Sequence, residues 1–72
     1  MTFSSVKTAR ERLLNYRPVY CYFKDTDGKV KRWQLASVTI LRKKKGFVRL
    51  LNVQGREAEI PATNDLFDDG SR

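Results

Sequence analysis

The densest cluster of one chemical type in the chain is a run of four consecutive cations: Arg42, Lys43, Lys44 and Lys45. Apolar runs flank the cluster, which predicts that it forms the tip of a β-hairpin, and Gly46 suits the left-handed position that closes a short loop. Arg49 lies on the strand that follows. Cations at a tip can neutralise the phosphates of a nucleic acid, and each neutralised phosphate releases counterions. The alternative is a solvated tip that keeps the sheet soluble.

A second candidate surface lies in the hairpin that Asp27-Gly28 predicts between residues 19–24 and 29–35. A loop of two or four residues places aromatic and cationic side chains on one face: Tyr20, Tyr22, Lys24, Lys29, Lys31 and Trp33. A loop of three residues instead turns Trp33 inward and leaves another set outside: Tyr20, Tyr22, Val30 and Arg32. Exposed rings would stack on bases, and the neighbouring cations would contact phosphates. The sequence leaves both registers open, and Lys29, Lys31 and Arg32 are phosphate candidates in either case.

Residues that perform catalysis or bind metals are scarce. The chain has no histidine and one cysteine, Cys21, so it lacks the commonest general base, the usual zinc ligands and a histidine to activate a thiolate. No glycine-rich phosphate loop is present. Asp25 and Asp27 flank a turn, where aspartate commonly bonds its own backbone. We therefore expect a non-catalytic protein with no cofactor and no metal site.

The net charge of +7 is unevenly distributed along the sequence. Residues 1–56 have a net charge of +11, whereas residues 57–72 have a net charge of −4. A strongly cationic body attracts polyanions and therefore favours a phosphate-bearing partner. A larger protein with an acidic surface would satisfy the same charge.

A helix is predicted over about residues 5–15. Ser4 and Ser5 are suitable N-caps, and Pro18 disfavours helical backbone at the residue before it. Apolar side chains follow the caps at spacings of three and four, as on one face of a helix: Val6, Ala9, Leu13 and Tyr16.

Strands are predicted over about residues 19–24, 29–35, 37–42, 47–53 and 57–60, where β-branched and aromatic residues are frequent. In the second hairpin a three-residue loop would pair Ile40 with Leu50 and Arg42 with Val48. Val38, Ile40, Val48 and Leu50 would then share one apolar face.

These elements predict a mainly β (α+β) fold, in which an N-terminal helix precedes a small antiparallel sheet of four or five strands. Curling into an SH3-like or Sm-like barrel or half-barrel would hide the edges of such short strands. We expect one basic domain over residues 1–62 and an acidic C-terminal tail over residues 63–72.

Leu66 and Phe67 form an apolar pair among the carboxylates of that tail, where one helical turn could form. One interpretation is a short linear motif that binds another protein. The other is that the pair folds back over an open end of the barrel while the acidic residues lie near the basic body.

Two function hypotheses follow. The first is a small nucleic-acid-binding module, for DNA or RNA, that uses the lysine-rich hairpin and exposed aromatic rings. The second is a protein-binding adaptor or inhibitor, such as a small regulator from a phage or mobile element. It would dock on a larger protein through an uncovered sheet edge or through Leu66 and Phe67. The single cysteine and the lack of long apolar segments predict a cytoplasmic protein with no membrane partner. Oligomeric state is not readable from the sequence.

Overall fold

One helix and six strands form over residues 1–70, the part of the chain that a computed structural model describes. In chain order the elements are β1 (Thr2–Phe3), α1 (Val6–Leu14), β2 (Tyr20–Lys24), β3 (Val30–Ile40), β4 (Phe47–Asn52), β5 (Glu57–Pro61) and β6 (Phe67–Asp68). The strands form one antiparallel sheet in the order β1-β6-β2-β3-β4-β5. The mainly β fold with an N-terminal helix is therefore confirmed. The sheet does not close, so the SH3-like or Sm-like barrel is not confirmed.

Strand β3 joins the two halves of the sheet. Its first half pairs with β2, and its second half pairs with β4 after a shift in register between Leu35 and Ser37. A bulge of this kind bends a strand and increases its twist. One long strand consequently replaces the two strands that were predicted over residues 29–35 and 37–42.

Helix α1 begins where the sequence predicts. The Ser5 hydroxyl oxygen accepts a hydrogen bond from the Thr8 N–H at 3.2 Å, as an N-cap does. The helix ends at Leu14, before Pro18 has any influence. Tyr16 adopts a left-handed conformation (φ 57°), and the Arg17 N–H bonds back to the Arg12 carbonyl at 2.8 Å. This is the pattern of a Schellman motif.

The predicted position of Tyr16 on the apolar face of the helix is wrong. The chain leaves the helix before this residue, and its side chain is 97% exposed. Ala9 of the same predicted face is fully buried, and Val6 and Leu13 pack against the core.

The segment predicted as an acidic tail, residues 63–72, contributes a strand to the sheet. Strand β6 lies between β1 and β2, and Phe67 is fully buried against Phe3 with 5.6 Å between the ring centroids. Leu66 is buried as well, and the pair forms no helical turn. The acidic segment therefore completes the sheet, because burial of an aromatic and a leucine outweighs the acidic character of their neighbours. Ser71 and Arg72 of the predicted tail lie outside the described residues.

Changing Tyr16 to glycine should stabilise the fold by about 0.5–1 kcal/mol, because a left-handed conformation costs a residue with a Cβ atom about 1–2 kcal/mol, and the greater loss of backbone entropy at glycine offsets part of that gain. Urea denaturation measures the free energy of unfolding. Tyr16→Ala is the matched control, since it removes the ring and keeps the strain. Equal stability of the two variants would contradict the prediction.

Cys21 lies fully buried on the inner face of β2. Burial raises the pKa of its thiol to about 12 from an ordinary value of 9.0. The unfolded chain therefore releases this proton at lower pH than the folded chain. The thiol's contribution to the free energy of unfolding is fully present below pH 9.0 and is lost as the pH rises toward 12.

We therefore expect Cys21 to resist alkylation by iodoacetamide in the native protein at about pH 8, since the thiolate is the reactive form. The rate should rise in urea in proportion to the unfolded fraction, followed by mass spectrometry. Rapid alkylation without denaturant would show that the thiol is accessible and ionised in the native fold.

Candidate nucleic-acid interface

Residues 42–46 form a five-residue loop between β3 and β4. The Leu41 N–H donates to the Phe47 carbonyl at 3.3 Å, and Gly46 adopts the predicted left-handed conformation with a φ of 81°. The Gly46 carbonyl also accepts a hydrogen bond of 2.7 Å from the Ala62 N–H, which fastens the base of the loop to the segment after β5. The four cations Arg42–Lys45, called the basic loop below, thus extend from a fixed base.

The predicted register of this hairpin is wrong by two residues. Ile40 pairs with Val48, and Leu50 pairs with Val38, because the loop has five residues rather than three. A shift by two keeps each side chain on its predicted face. Val38, Val48 and Leu50 are accordingly buried, but Ile40 is 58% exposed because it lies at the end of the strand.

All four cations of the basic loop are exposed or partly exposed, and none forms an ion pair with a carboxylate among residues 1–70. The Lys44 ammonium group lies 4.2 Å from the centroid of the Phe47 ring, so a cation–π contact orients it while it remains charged. The loop therefore presents a concentrated positive charge to solvent.

The acidic C-terminal segment does not neutralise the basic loop. Asp69 forms ion pairs with the amino group of Met1 at 3.0 Å and with the Arg12 guanidinium at 3.9 Å. These contacts place it beside α1 and β1, where β6 is held in the sheet. The predicted contact between the acidic tail and the basic body is therefore found between Asp69 and Arg12, whereas the basic loop forms no ion pair with a described residue of the tail.

Arg49 does not add a free cation to the basic loop. Its Nη2 atom lies 3.1 Å from Oε1 of Glu59 on the neighbouring strand. Both side chains are partly exposed and line a shallow depression together with the basic loop. A phosphate contact through Arg49 would have to compete with this ion pair.

The first hairpin has the three-residue register. Cys21 pairs with Trp33, and the Asp25 N–H donates to the Lys29 carbonyl at 2.9 Å around a turn that ends at Gly28. Trp33 is half-buried on the inner face, where its ring meets Phe23 edge to face at 4.8 Å between centroids. It packs against the core, on the face of the hairpin opposite to Tyr20 and Tyr22.

Tyr20, Tyr22 and Arg32 lie together on the outer face of this hairpin and are called the tyrosine–arginine ladder below. The Arg32 guanidinium lies 4.0 Å from the ring centroid of Tyr20 and 5.9 Å from that of Tyr22. Gly70 packs so closely on Tyr20 that a Cβ atom there would be 2.7 Å from the ring. Tyr22 is the more open ring, with 43% of its surface exposed.

The remaining lysines of this hairpin differ in their availability. The Lys31 ammonium group is 2.6 Å from a carboxylate oxygen of Asp25, which raises the pKa of Lys31 and lowers the pKa of Asp25. Lys31 is thus neutralised within the protein. Lys29 and Lys24 are exposed and form no ion pair within the described residues.

The structure does not bring the basic loop and the ladder together. Arg32 lies near the start of β3 and Arg42 lies two residues beyond its end, so ten residues separate them, which corresponds to at most about 33 Å along a strand. Nor does it present Leu66 and Phe67 to a partner, because both are buried. A protein-binding role for this pair would require the sheet to lose β6.

Sequence reasoning missed a groove between α1 and the second half of β3, lined by Arg10, Leu13, Leu14 and residues 36–39. Leu14 is 79% exposed there. The groove could have been predicted from the position of Leu14, which falls outside the apolar face of the helix and next to the cationic face that includes Arg10.

No group of three or more His, Cys, Asp or Glu side chains within residues 1–70 could hold a metal ion. No helix in this part of the chain is long and apolar enough to cross a membrane.

No known protein family matches this chain. No curated protein and no solved structure resembles it significantly either. Function must therefore be inferred from the chemistry of the surfaces described above.

Proposed function

We propose that the protein is a non-catalytic nucleic-acid-binding module that holds the phosphate backbone of DNA or RNA with its basic loop. One observation supports this most directly: four consecutive cations lie on a five-residue loop at the surface, and none of them has a carboxylate partner within residues 1–70. Mutual repulsion within the cluster is relieved when a polyanion binds, and the release of counterions adds to the affinity.

The tyrosine–arginine ladder is proposed as a second contact that stacks on bases. Its support is the open ring of Tyr22, beside a guanidinium that two tyrosines hold in place. Every base has a π-face, so such a surface binds unpaired bases with little sequence preference. Bases in a duplex are stacked on each other, and we therefore propose single strands as the ligand of the ladder.

The separation of the two contacts defines the length of the ligand. A strand that touches both must span the distance from Arg32 to Arg42, which cannot exceed about 33 Å. Shorter ligands would reach one contact at a time.

Cys21 is buried and is the single cysteine of the sequence, which favours a reducing compartment, and we propose the cytoplasm.

The half-barrel also belongs to this proposal. Its support is the register shift between Leu35 and Ser37, which allows one strand to pair with β2 and then with β4, as in a strongly bent sheet. An SH3-like or Sm-like half-barrel would turn its concave side to the core and its loops to the ligand.

Reversing two charges of the basic loop, in Lys43→Glu/Lys45→Glu, should weaken binding to any oligonucleotide and flatten its dependence on salt. The slope of log K against log salt should become less steep by about 0.7 to 0.9 for each phosphate that the variant no longer neutralises. Fluorescence anisotropy with a labelled oligonucleotide over a range of salt concentrations measures both quantities.

The matched control is Arg17→Glu/Arg56→Glu, which changes the net charge equally at exposed sites that form no ion pair within residues 1–70. If both double variants lose the same affinity, binding depends on overall charge and not on the loop. An affinity of the unmodified protein that stays constant between low and physiological salt excludes phosphate-driven binding altogether.

Changing Tyr22 to alanine should weaken binding to a single strand of about 16 nucleotides by roughly 5-fold or more, since stacking contributes about 1–3 kcal/mol per base. Binding to a duplex of the same length should not change. Tyr16→Ala is the control, because Tyr16 is an exposed tyrosine outside the ladder. An equal loss on duplex and single strand would remove the stacking role and leave the role of the basic loop intact.

A further inference from the structure

The second half of β3 has an unpaired edge. Residues 37–40 pair with β4 on one side only, because β2 pairs with β3 no further than Gln34. The hydrogen bond from the Leu41 N–H to the Phe47 carbonyl shows which residues of β3 direct their backbone N–H and C=O groups toward β4, because these alternate along an antiparallel strand. Leu41 and Thr39 bond toward β4, so the N–H and C=O groups of Val38 and Ile40 point to the opposite edge. No strand within residues 1–70 pairs there.

This edge differs from the two outer edges of the sheet, which have recognised protection against pairing with other chains. Strand β1 has only two residues, and β5 alternates glutamates with apolar residues and ends at Pro61. Residues 36–40, in contrast, include no charged residue and no proline. Such an edge is a template for an additional strand.

Helix α1 lies beside the edge without closing it. The groove between them has a volume of about 310 Å³ and is lined by four consecutive residues of β3, 36–39. Consecutive side chains point to opposite faces of a strand, so a groove lined by all four must run along its backbone. Leu14 and Ile40, which are 79% and 58% exposed, flank the continuation of this groove along the helix.

The charges around the groove define its ligand. Lys7 and Arg10 line it and form no ion pair with a described carboxylate, and Glu11 is the one acidic residue in its lining within residues 1–70. Beyond Ile40 the surface continues to Arg42 of the basic loop. A second copy of this chain would bring like charges together. The phosphates of a nucleic acid offer acceptors but no donors to pair with the C=O groups of the edge.

From these observations we infer that the groove binds an extended peptide segment of another protein, rich in apolar and acidic residues, which adds to β3 as a strand in line with β2. Backbone hydrogen bonds to Val38 and Ile40 provide the pairing. Apolar side chains of the peptide contact Leu14 and Ile40, and its carboxylates face Lys7 and Arg10. The residues of this site are separate from those of the proposed nucleic-acid contacts.

The test uses a fluorescein-labelled peptide of alternating leucine and aspartate, about six residues long, enough to cover the edge at about 3.3 Å per residue. Titration into the full ¹⁵N-labelled chain should shift the amide signals of Val38 and Ile40 in NMR spectra. The same peptide N-methylated at alternate residues keeps its charge and side chains but cannot form the ladder, so it should not bind. A peptide of alternating leucine and lysine should not bind either.

The variant Leu14→Ser should weaken binding of the aspartate peptide about tenfold, the loss expected when a leucine is no longer buried on binding. Its control is Val30→Ser, since Val30 is similarly exposed (68%) and lies outside the groove. NMR spectra of the variants without peptide show whether each is folded. A second variant, Arg10→Glu, should weaken the same complex because it replaces a cation that faces the carboxylates of the peptide.

Equal binding of the N-methylated peptide, or no effect of both Leu14→Ser and Arg10→Glu, would overturn the inference. The variant Lys43→Glu/Lys45→Glu separates this site from the proposed function. It should lose the oligonucleotide and keep the peptide-induced shifts at Val38 and Ile40. If the protein binds the oligonucleotide but not the aspartate peptide, the proposed function stands and the inference about the groove is overturned.

Discussion

Strand β3 pairs with β2 over its first half and with β4 over its second half, and the register shift between Leu35 and Ser37 makes this change of partner possible. A chain of this length buries a small core, so one strand that belongs to both halves of the sheet is an economical way to join them. The same strand presents the ladder at its start, the unpaired edge in its second half and the basic loop at its end. Each candidate surface depends on the position of this bend.

The burial of the C-terminal segment determines how the charges are distributed. Phe67 and Leu66 enter the core and draw β6 between β1 and β2, which places Asp69 beside Arg12 and the amino group of Met1. An acidic segment free in solution would be attracted to the strongest positive charge of the same chain. Packing of two apolar side chains therefore directs Asp69 to Arg12 and the N-terminal amino group and not to the basic loop.

Local chemistry in the sequence predicted α1 and most strands, because Ser5, the β-branched runs and the turn glycines each act over a few residues. The assignment of side chains to faces in the second hairpin was also correct, since its register was wrong by an even number of residues. Interactions between residues distant in sequence were not predictable. They include the pairing of β6 between β1 and β2, the ion pair between Arg49 and Glu59, and the groove beside Leu14.

The basic loop and the groove meet at Ile40, which contributes to the depressions on both sides. Their proposed ligands are a polyanion and an acidic peptide, so each ligand reduces the positive potential that attracts the other. Charges interact appreciably when they lie within the Debye length of each other, which is about 8 Å at physiological salt. The two sites are consequently coupled even if their ligands never touch. Coupling of this origin weakens as salt is added, whereas direct steric exclusion does not.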